Sequence, residues 1–169
     1  MPPLSCGELV IARLGRMSEP RSLPEDVGLG IATPDDVPEL LALWAVAAEN
    51  DSRPGDTAQA VLTLLERDPG ACLIARQWDR IVGTRIAGWD GWRAHLYRLA
   101  VHPAMRRRGI AQALLDAGAA RLRSLGAPRL DAMVLEGNEL GQALWQSSGY
   151  IPQAEWRRWI KPVAGHPAP

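Results

Sequence analysis

The sequence predicts a single α/β domain of the α+β kind: a mixed, mostly antiparallel sheet with helices on both faces. Three observations carry this. The apolar residues change period along the chain, from helical spacing over 37–65 to strand patterning over 71–101 and back to helical spacing after 108. The resulting order is strand, two helices, three strands, helix, strand, helix, strand. In this order the strand after the long helix should lie parallel to the strand before it, joined by a right-handed crossover.

Each element has its own signals. Met1 to Asp26 is rich in proline and arginine without sustained periodicity, which suggests an extension rather than a domain. Val27 to Ile31 is a short apolar strand. Thr33-Pro34-Asp35-Asp36 then supplies a helix cap, a proline at the first helical position and acids in the first turn. Val37, Leu40, Leu41, Trp44 and Ala48 form the buried face of that helix, which ends near Glu49-Asn50. Asp56 is placed to cap a second helix through Arg67, with Val61, Leu64 and Leu65 inside. Three strands follow. The Trp78-Asp79-Arg80 turn separates A-C-L-I-A-R from I-V-G-T-R-I-A-G, and Asp90-Gly91 carries the chemistry of a tight hairpin before Ala94 to Val101. The long helix spans about Arg108 to Leu125, gathers Ile110, Leu114, Ala117, Gly118, Leu122 and Leu125 on one side, and stops at Gly126. Leu130 to Leu135 reads as a buried strand, Asn138 caps a helix through Ser148, and Trp156 to Lys161 is the expected final strand. The domain therefore covers 27–162, between an extension of 1–26 and a tail of 163–169.

Composition narrows the function classes. The chain has 169 residues, enough to bury ~70% of its unfolded surface around one core. Lysine plus arginine and aspartate plus glutamate both number 19, so the basic excess of a nucleic-acid binder is missing and no nucleic-acid partner is expected. No run of 18 apolar residues exists and the first 26 residues lack the apolar core of a signal peptide, which points to a cytoplasmic protein without a membrane partner. Cys6 and Cys72 make neither a disulfide framework nor a metal site, and Cys72 reads as a small core residue.

The stretch from Leu96 to Gln112 carries the most chemistry. The strand L-Y-R-L-A-V passes through His102-Pro103 into R-R-R-G-I-A and then the long helix. Gly109 permits close backbone approach, and the first helical turn offers unpaired N–H groups and a positive dipole end. Arg106, Arg107 and Arg108 add charge where a nucleotide-linked phosphate would sit. Strand, Q/R-x-x-G-x-G/A and helix, with Arg106, Gly109 and Ala111 at the defining positions, resemble the cofactor signature of the GNAT superfamily of N-acetyltransferases. The likeness extends from about Val27 to Pro162.

That resemblance implies a central parallel strand pair that splays apart, with a bulge near Arg98 to Ala100 as the cause. It implies acetyl-CoA as cofactor, with its pyrophosphate on the backbone from Arg106 through Gly109, Ile110 and Ala111 to Gln112 and its pantetheine along Leu99, Ala100 and Val101. A second segment, Asn138 to Tyr150, resembles the family's N-x-x-A-x-x-L-Y-x-x-x-G-F/Y and adds Asn138 and Trp145 to the cofactor side. Many members carry at this last position a tyrosine that protonates the departing thiolate. Indole donates a hydrogen bond but is no acid at neutral pH, so Trp145 is expected to pack against the cofactor arm or the core. A thiol with a pKa of about 8.5 can leave unassisted.

Acetyl transfer to an amine also needs an oxyanion donor and a destination for the amine proton. The first is expected from a backbone N–H around Leu99 to Val101. For the second, many relatives place a glutamate where this chain has Tyr97, which can relay a proton through water; Glu136, at the end of the following strand, is the alternative carboxylate. His102 is given a structural role. Arg53 and the hairpin residues Trp89, Asp90, Trp92 and Arg93 combine guanidinium, carboxylate and indole groups suited to a small polar or zwitterionic amine. The expected function is an acetyl-CoA-dependent N-acetyltransferase acting by direct attack in a ternary complex on a small-molecule or peptide amine, as a monomer or homodimer. The competing reading is a non-catalytic acyl-CoA-binding regulatory protein, motivated by Trp145 and Tyr97.

Overall fold

A computed structural model describes residues 23–47, 55–161 and 163. Strand β1 (Val27–Ile31) leads through a single 3-10 turn into helices α1 (Val37–Ala47) and α2 (Ala58–Arg67). The meander β2 (Cys72–Gln77), β3 (Arg80–Trp89) and β4 (Ala94–Val101) follows, then α3 (Ile110–Ser124), β5 (Leu130–Ala132) and α4 (Glu139–Ser147). The sheet order is β1-β2-β3-β4-β5, antiparallel throughout except for the parallel β4–β5 pair.

Alternation along the strands divides the core in two. Cys72 and Ile74 point to one face, where they join Val37, Leu40, Leu43 and Trp44 of α1 and Val61 and Leu65 of α2. Leu73, Ala75, Ala87, Ala94 and Leu96 point to the other, against Ile110, Leu114, Leu115 and Leu122 of α3 and Trp145 of α4. The approach of α3 is close. A Cβ on Gly83 would stand 2.9 Å from the Ile110 side chain and 3.0 Å from that of Leu114, so the helix can lie this near β3 only over glycine.

Several sequence expectations shift. The buried face of α1 uses Leu43 and Ala47, while Leu41 is only partly buried; Ala48 lies outside the described residues, as do 1–22 of the extension. The cap of α2 is Thr57, whose hydroxyl accepts from the Ala60 N–H at 3.1 Å, because the Asp56 carboxylate instead pairs with Arg98. On α3, Leu115 is buried and Leu125 is exposed. The strand expected to reach Leu135 ends at Ala132, and Met133 to Leu135 are exposed.

The final strand expected at Trp156 to Lys161 is absent. These residues form no strand and are all exposed, which leaves β5 at the edge of the described sheet. A strand here would set Trp156 and Ile160 on one face with Arg158 between them, and Trp159 on the other between Arg157 and Lys161.

Candidate active site

The expected bulge is present in β4. Thr84 of β3 opposes Ala100 and Ile86 opposes Tyr97, so Arg98 and Leu99 together stand against Arg85. Arg98 takes a φ of +47°, a region that arginine rarely enters. The extra residue changes the parity of the strand. Ala94 and Leu96 pack on the α3 side before the bulge, and Leu99 and Val101 do so after it. Pairing with β5 covers only Ala94, His95 and Leu96, and stops two residues before the bulged pair Arg98 and Leu99. From Tyr97 onward the outer edge of β4 has no strand partner among the described residues, and this opening is the gap that the sequence led us to expect.

The gap leads to a turn built for an anion. The His102 N–H bonds to the Val82 carbonyl at 2.9 Å, and His102 Nδ1 accepts from the Ala104 N–H at 3.3 Å, so His102 has the expected structural role at the strand exit. Arg106 donates through Nε to the Val101 carbonyl at 3.3 Å, and all three arginines from Arg106 to Arg108 are exposed. Arg107 and Gly109 have φ of +60° and +82°. Gly109 is the N-cap of α3 and supplies no side chain; the first helical bond runs from the Ala113 N–H to its carbonyl at 3.0 Å. The N–H groups of Ile110, Ala111 and Gln112 thus have no intrahelical acceptor and sit at the positive end of a 15-residue helix. An uncapped helix start entered through left-handed backbone fits a diphosphate. Gln112 also accepts from the Ser148 hydroxyl at 3.0 Å, tying this turn to the end of α4.

Helix α4 flanks the other side. Asn138 Oδ1 accepts from the Gly141 N–H at 2.8 Å, and its amide lies so close over Gly141 that a Cβ there would require the Asn138 side chain to move. Trp145 is 9% exposed, its ring edge-on to Tyr150 with centroids 4.7 Å apart. It therefore packs in the core, one of the two placements expected of an indole in that position. Arg85, which the sequence reading passed over, lies against it with its guanidinium carbon 5.6 Å from the indole centroid. Arg85 is wholly buried and none of its three nitrogens makes a hydrogen bond of good geometry among the described residues, although the Tyr150 hydroxyl lies close enough to favour the cation. Burial holds its guanidinium below the ordinary range, opposed by Tyr150 and Asp116.

The hairpin residues expected to meet an acceptor sit at the other end of β4, whose eight residues separate its ends by roughly 24 Å. Asp90 accepts from the N–H groups of Arg93 at 2.6 Å and Trp92 at 2.8 Å, and these bonds hold its carboxyl below the usual range. Trp92 and Arg93 line a cavity of about 290 Å³ with Pro128, Arg129 and Asp131, while Trp89 is half-buried at the end of β3. Tyr97 is 47% exposed midway along β4, stacked on His95 with centroids 5.8 Å apart and an interplanar angle of 27°. Burial, and then the Asp90 charge, push its phenol up. His95 was missed by sequence reasoning; the signal was its position two residues before Tyr97, on the same strand face. Glu136 is exposed in the turn before α4, where its carbonyl accepts from Gln142 Nε2 at 2.6 Å. Arg53 lies outside the described residues. The structure thus brings Leu99, Ala100 and Val101 into line with the turn at Gly109, but does not bring the hairpin to that end of the strand.

Comparison with known proteins agrees with this geometry. The acetyltransferase (GNAT) family matches residues 36–150. An acetyltransferase of Yersinia pestis is 34% identical over 120 residues, 70% of this chain and 84% of the relative. Among solved structures, a protein of Clostridium acetobutylicum described as a predicted acetyltransferase, solved with acetyl-CoA, superimposes with a TM-score of 0.66 at 13% identity, over 79% of this chain and 96% of the other. A ribosomal-protein-alanine N-acetyltransferase of Brucella melitensis gives 0.61 at 25% identity, over 72% and 83%. The cofactor of this family is acetyl-CoA, and the open β4 edge with its uncapped helix start is suited to it. The chain belongs to the GNAT acetyltransferase family.

Proposed function

We propose that the protein transfers an acetyl group from acetyl-CoA to a primary amine of a small molecule or peptide, by direct attack within a ternary complex. The observation that carries this reading is the continuity of two donor sets: the unpartnered β4 edge at Leu99 to Val101 leads straight into the uncapped start of α3. Relatives named as N-acetyltransferases support the amine as acceptor.

In this reading the backbone and side chains from Arg106 to Gln112 hold the pyrophosphate, and Leu99, Ala100 and Val101 pair with the pantetheine. Asn138 fixes the start of α4 beside the gap, and Trp145 backs it. Acetyl-CoA supplies an acyl group on a good leaving thiol. Tyr97, kept neutral by its raised pKa, passes the amine proton through its hydroxyl and water instead of taking it as a base. Glu136 is the alternative proton acceptor. Arg53, Trp89, Asp90, Trp92 and Arg93 orient the amine. The working unit is the domain 27–162, acting in the cytoplasm as a monomer or homodimer, with 1–26 and 163–169 as appendages.

The burial of Trp145 and the raised phenol of Tyr97 also favour a second reading, a regulatory protein that binds acyl-CoA without turnover. Thiol release from acetyl-CoA, measured against a panel of amines, separates the two. Transfer predicts release that depends on the acceptor, and a fall of about 10²-fold in kcat for Tyr97→Phe. Binding of acetyl-CoA with no release against any amine would establish the regulatory reading.

A further inference from the structure

We infer that Thr84, itself held by Trp44, is a positioning residue that aims the Leu99 N–H into the gap between β4 and β5. This rests on the acetyl-transfer reading above, and it assigns to the α1 face a part in chemistry that takes place on the edge of β4.

The indole N–H of Trp44 donates to Thr84 Oγ1 at 2.8 Å, and Thr84 Oγ1 donates to the Arg98 carbonyl at 3.1 Å. Thr84 has no exposed surface and Trp44 is 3% exposed, so water does not compete for these groups. The direction of the relay is fixed by chemistry. Indole nitrogen can only donate, a hydroxyl carries one proton, and a carbonyl can only accept. Thr84 therefore receives from Trp44 and spends its single proton on Arg98.

The Arg98 carbonyl belongs to the peptide unit that joins Arg98 to Leu99. That unit is trans, and in a planar trans peptide the N–H points opposite to the C=O. Since the carbonyl is drawn toward β3 by Thr84, the Leu99 N–H is turned away from β3, to the side where β5 pairs no further than Leu96. The bulge makes this possible, because Arg98 and Leu99 share a single opposing residue. The positive φ of Arg98 is a conformation that persists only where surrounding contacts enforce it, and the relay is one such contact. A backbone N–H fixed in advance at the reacting carbonyl is worth most when charge develops on that oxygen during attack. Thr84 reaches neither donor nor acceptor, and acts only through the peptide it orients.

Thr84→Val keeps the side-chain shape and removes the hydroxyl. The expected result is acetyl-CoA affinity within about twofold of wild type and kcat lowered about 10- to 100-fold, with Thr84→Ser restoring most of it. Isotope-edited infrared spectra of bound acetyl-CoA should show the thioester carbonyl stretch lowered in the wild type and returned toward its free value in Thr84→Val. Trp44→Phe, which leaves Thr84 its proton but releases its orientation, should fall between. A Thr84→Val protein with wild-type kcat and carbonyl frequency overturns the inference. Should Thr84→Val fail to fold, a wild-type kcat and carbonyl frequency in Trp44→Phe overturns it equally. Failure of the wild type to bind acetyl-CoA would remove the acetyl-transfer reading and the role with it. The relay itself is then read from the Leu99 amide resonance, which must move in Thr84→Val and stay in Thr84→Ser.

Discussion

Arg85 is the residue whose energetics stand furthest from the ordinary. Removing a guanidinium from water costs several kcal/mol, while its contact with Trp145 returns about 2 kcal/mol at most and the Tyr150 hydroxyl and the Asp116 charge offset only part of the rest. The first effect is the larger. Arg85→Met is therefore expected to raise the stability of the fold, by about 1–2 kcal/mol in urea unfolding, even after allowing for the volume lost. A variant less stable than the wild type would show that the stacked guanidinium contributes more than its desolvation costs. Nothing in the sequence marked Arg85, since an arginine in a strand reads as a residue of the solvated face. Only the position of Gly118 shows otherwise: a Cβ there would come within 2.8 Å of Arg85 Nε, so the absence of a side chain on α3 makes the room. His95 and Thr84 escaped for a related reason. Which face a strand residue occupies depends on register, and a bulge two or three residues away alters it without any change in composition.

At the scale of elements, local chemistry was the most legible. Strand β4 has the limits read from its apolar run, Ala94 to Val101, and both turns of the meander lie where Trp78-Asp79 and Asp90-Gly91 placed them. The hairpin after β3 is held by a carboxylate that caps two N–H groups, which gives it a definite pH dependence. Asp90 has a folded-state pKa below its unfolded value of about 3.9. Its contribution is thus present above that value and is lost as the pH falls through the lower, folded one. The protection factors of the Trp92 and Arg93 amides, taken against intrinsic exchange at each pH, should hold down to about pH 4 and fall below it; protection already lost as the pH falls from about 7 to about 5 would contradict the capping role. The elements misread were those decided by distant partners. Asp56 has the chemistry of a cap, yet Arg98 claims its carboxylate and Thr57 takes the cap instead. The last strand, expected over Trp156 to Lys161, has no strand partner in the described sheet and stays exposed.

The whole molecule packs a separate helix pair on each side of one sheet. Helices α3 and α4 cover the face that the cofactor reading uses, while α1 and α2 cover the face bearing Tyr97, Arg98 and the Trp44–Thr84 relay. The bulge in β4 joins them, since it opens the strand gap and shifts the parity of the strand. The cofactor end was readable because its parts lie within a single stretch, Leu96 to Gln112, where spacing and geometry coincide. The residues proposed for the acceptor were harder to place, because they come from separate parts of the chain, the hairpin at Trp89 to Arg93 and Arg53, which no single local pattern joins. No described helix is long and apolar enough to cross a membrane.

The central claim is that the gap and the start of α3 together bind acetyl-CoA, and calorimetric titration of the protein with acetyl-CoA, beside Gly109→Val, tests it most directly. Gly109 holds a φ of +82°, which a β-branched residue does not tolerate, so the substitution distorts the diphosphate turn while leaving the core intact. The account predicts one-to-one binding with a dissociation constant of about 1–100 μM for the wild type, weakened at least tenfold in the variant. Absence of binding to the wild type, or equal binding to both, would contradict it.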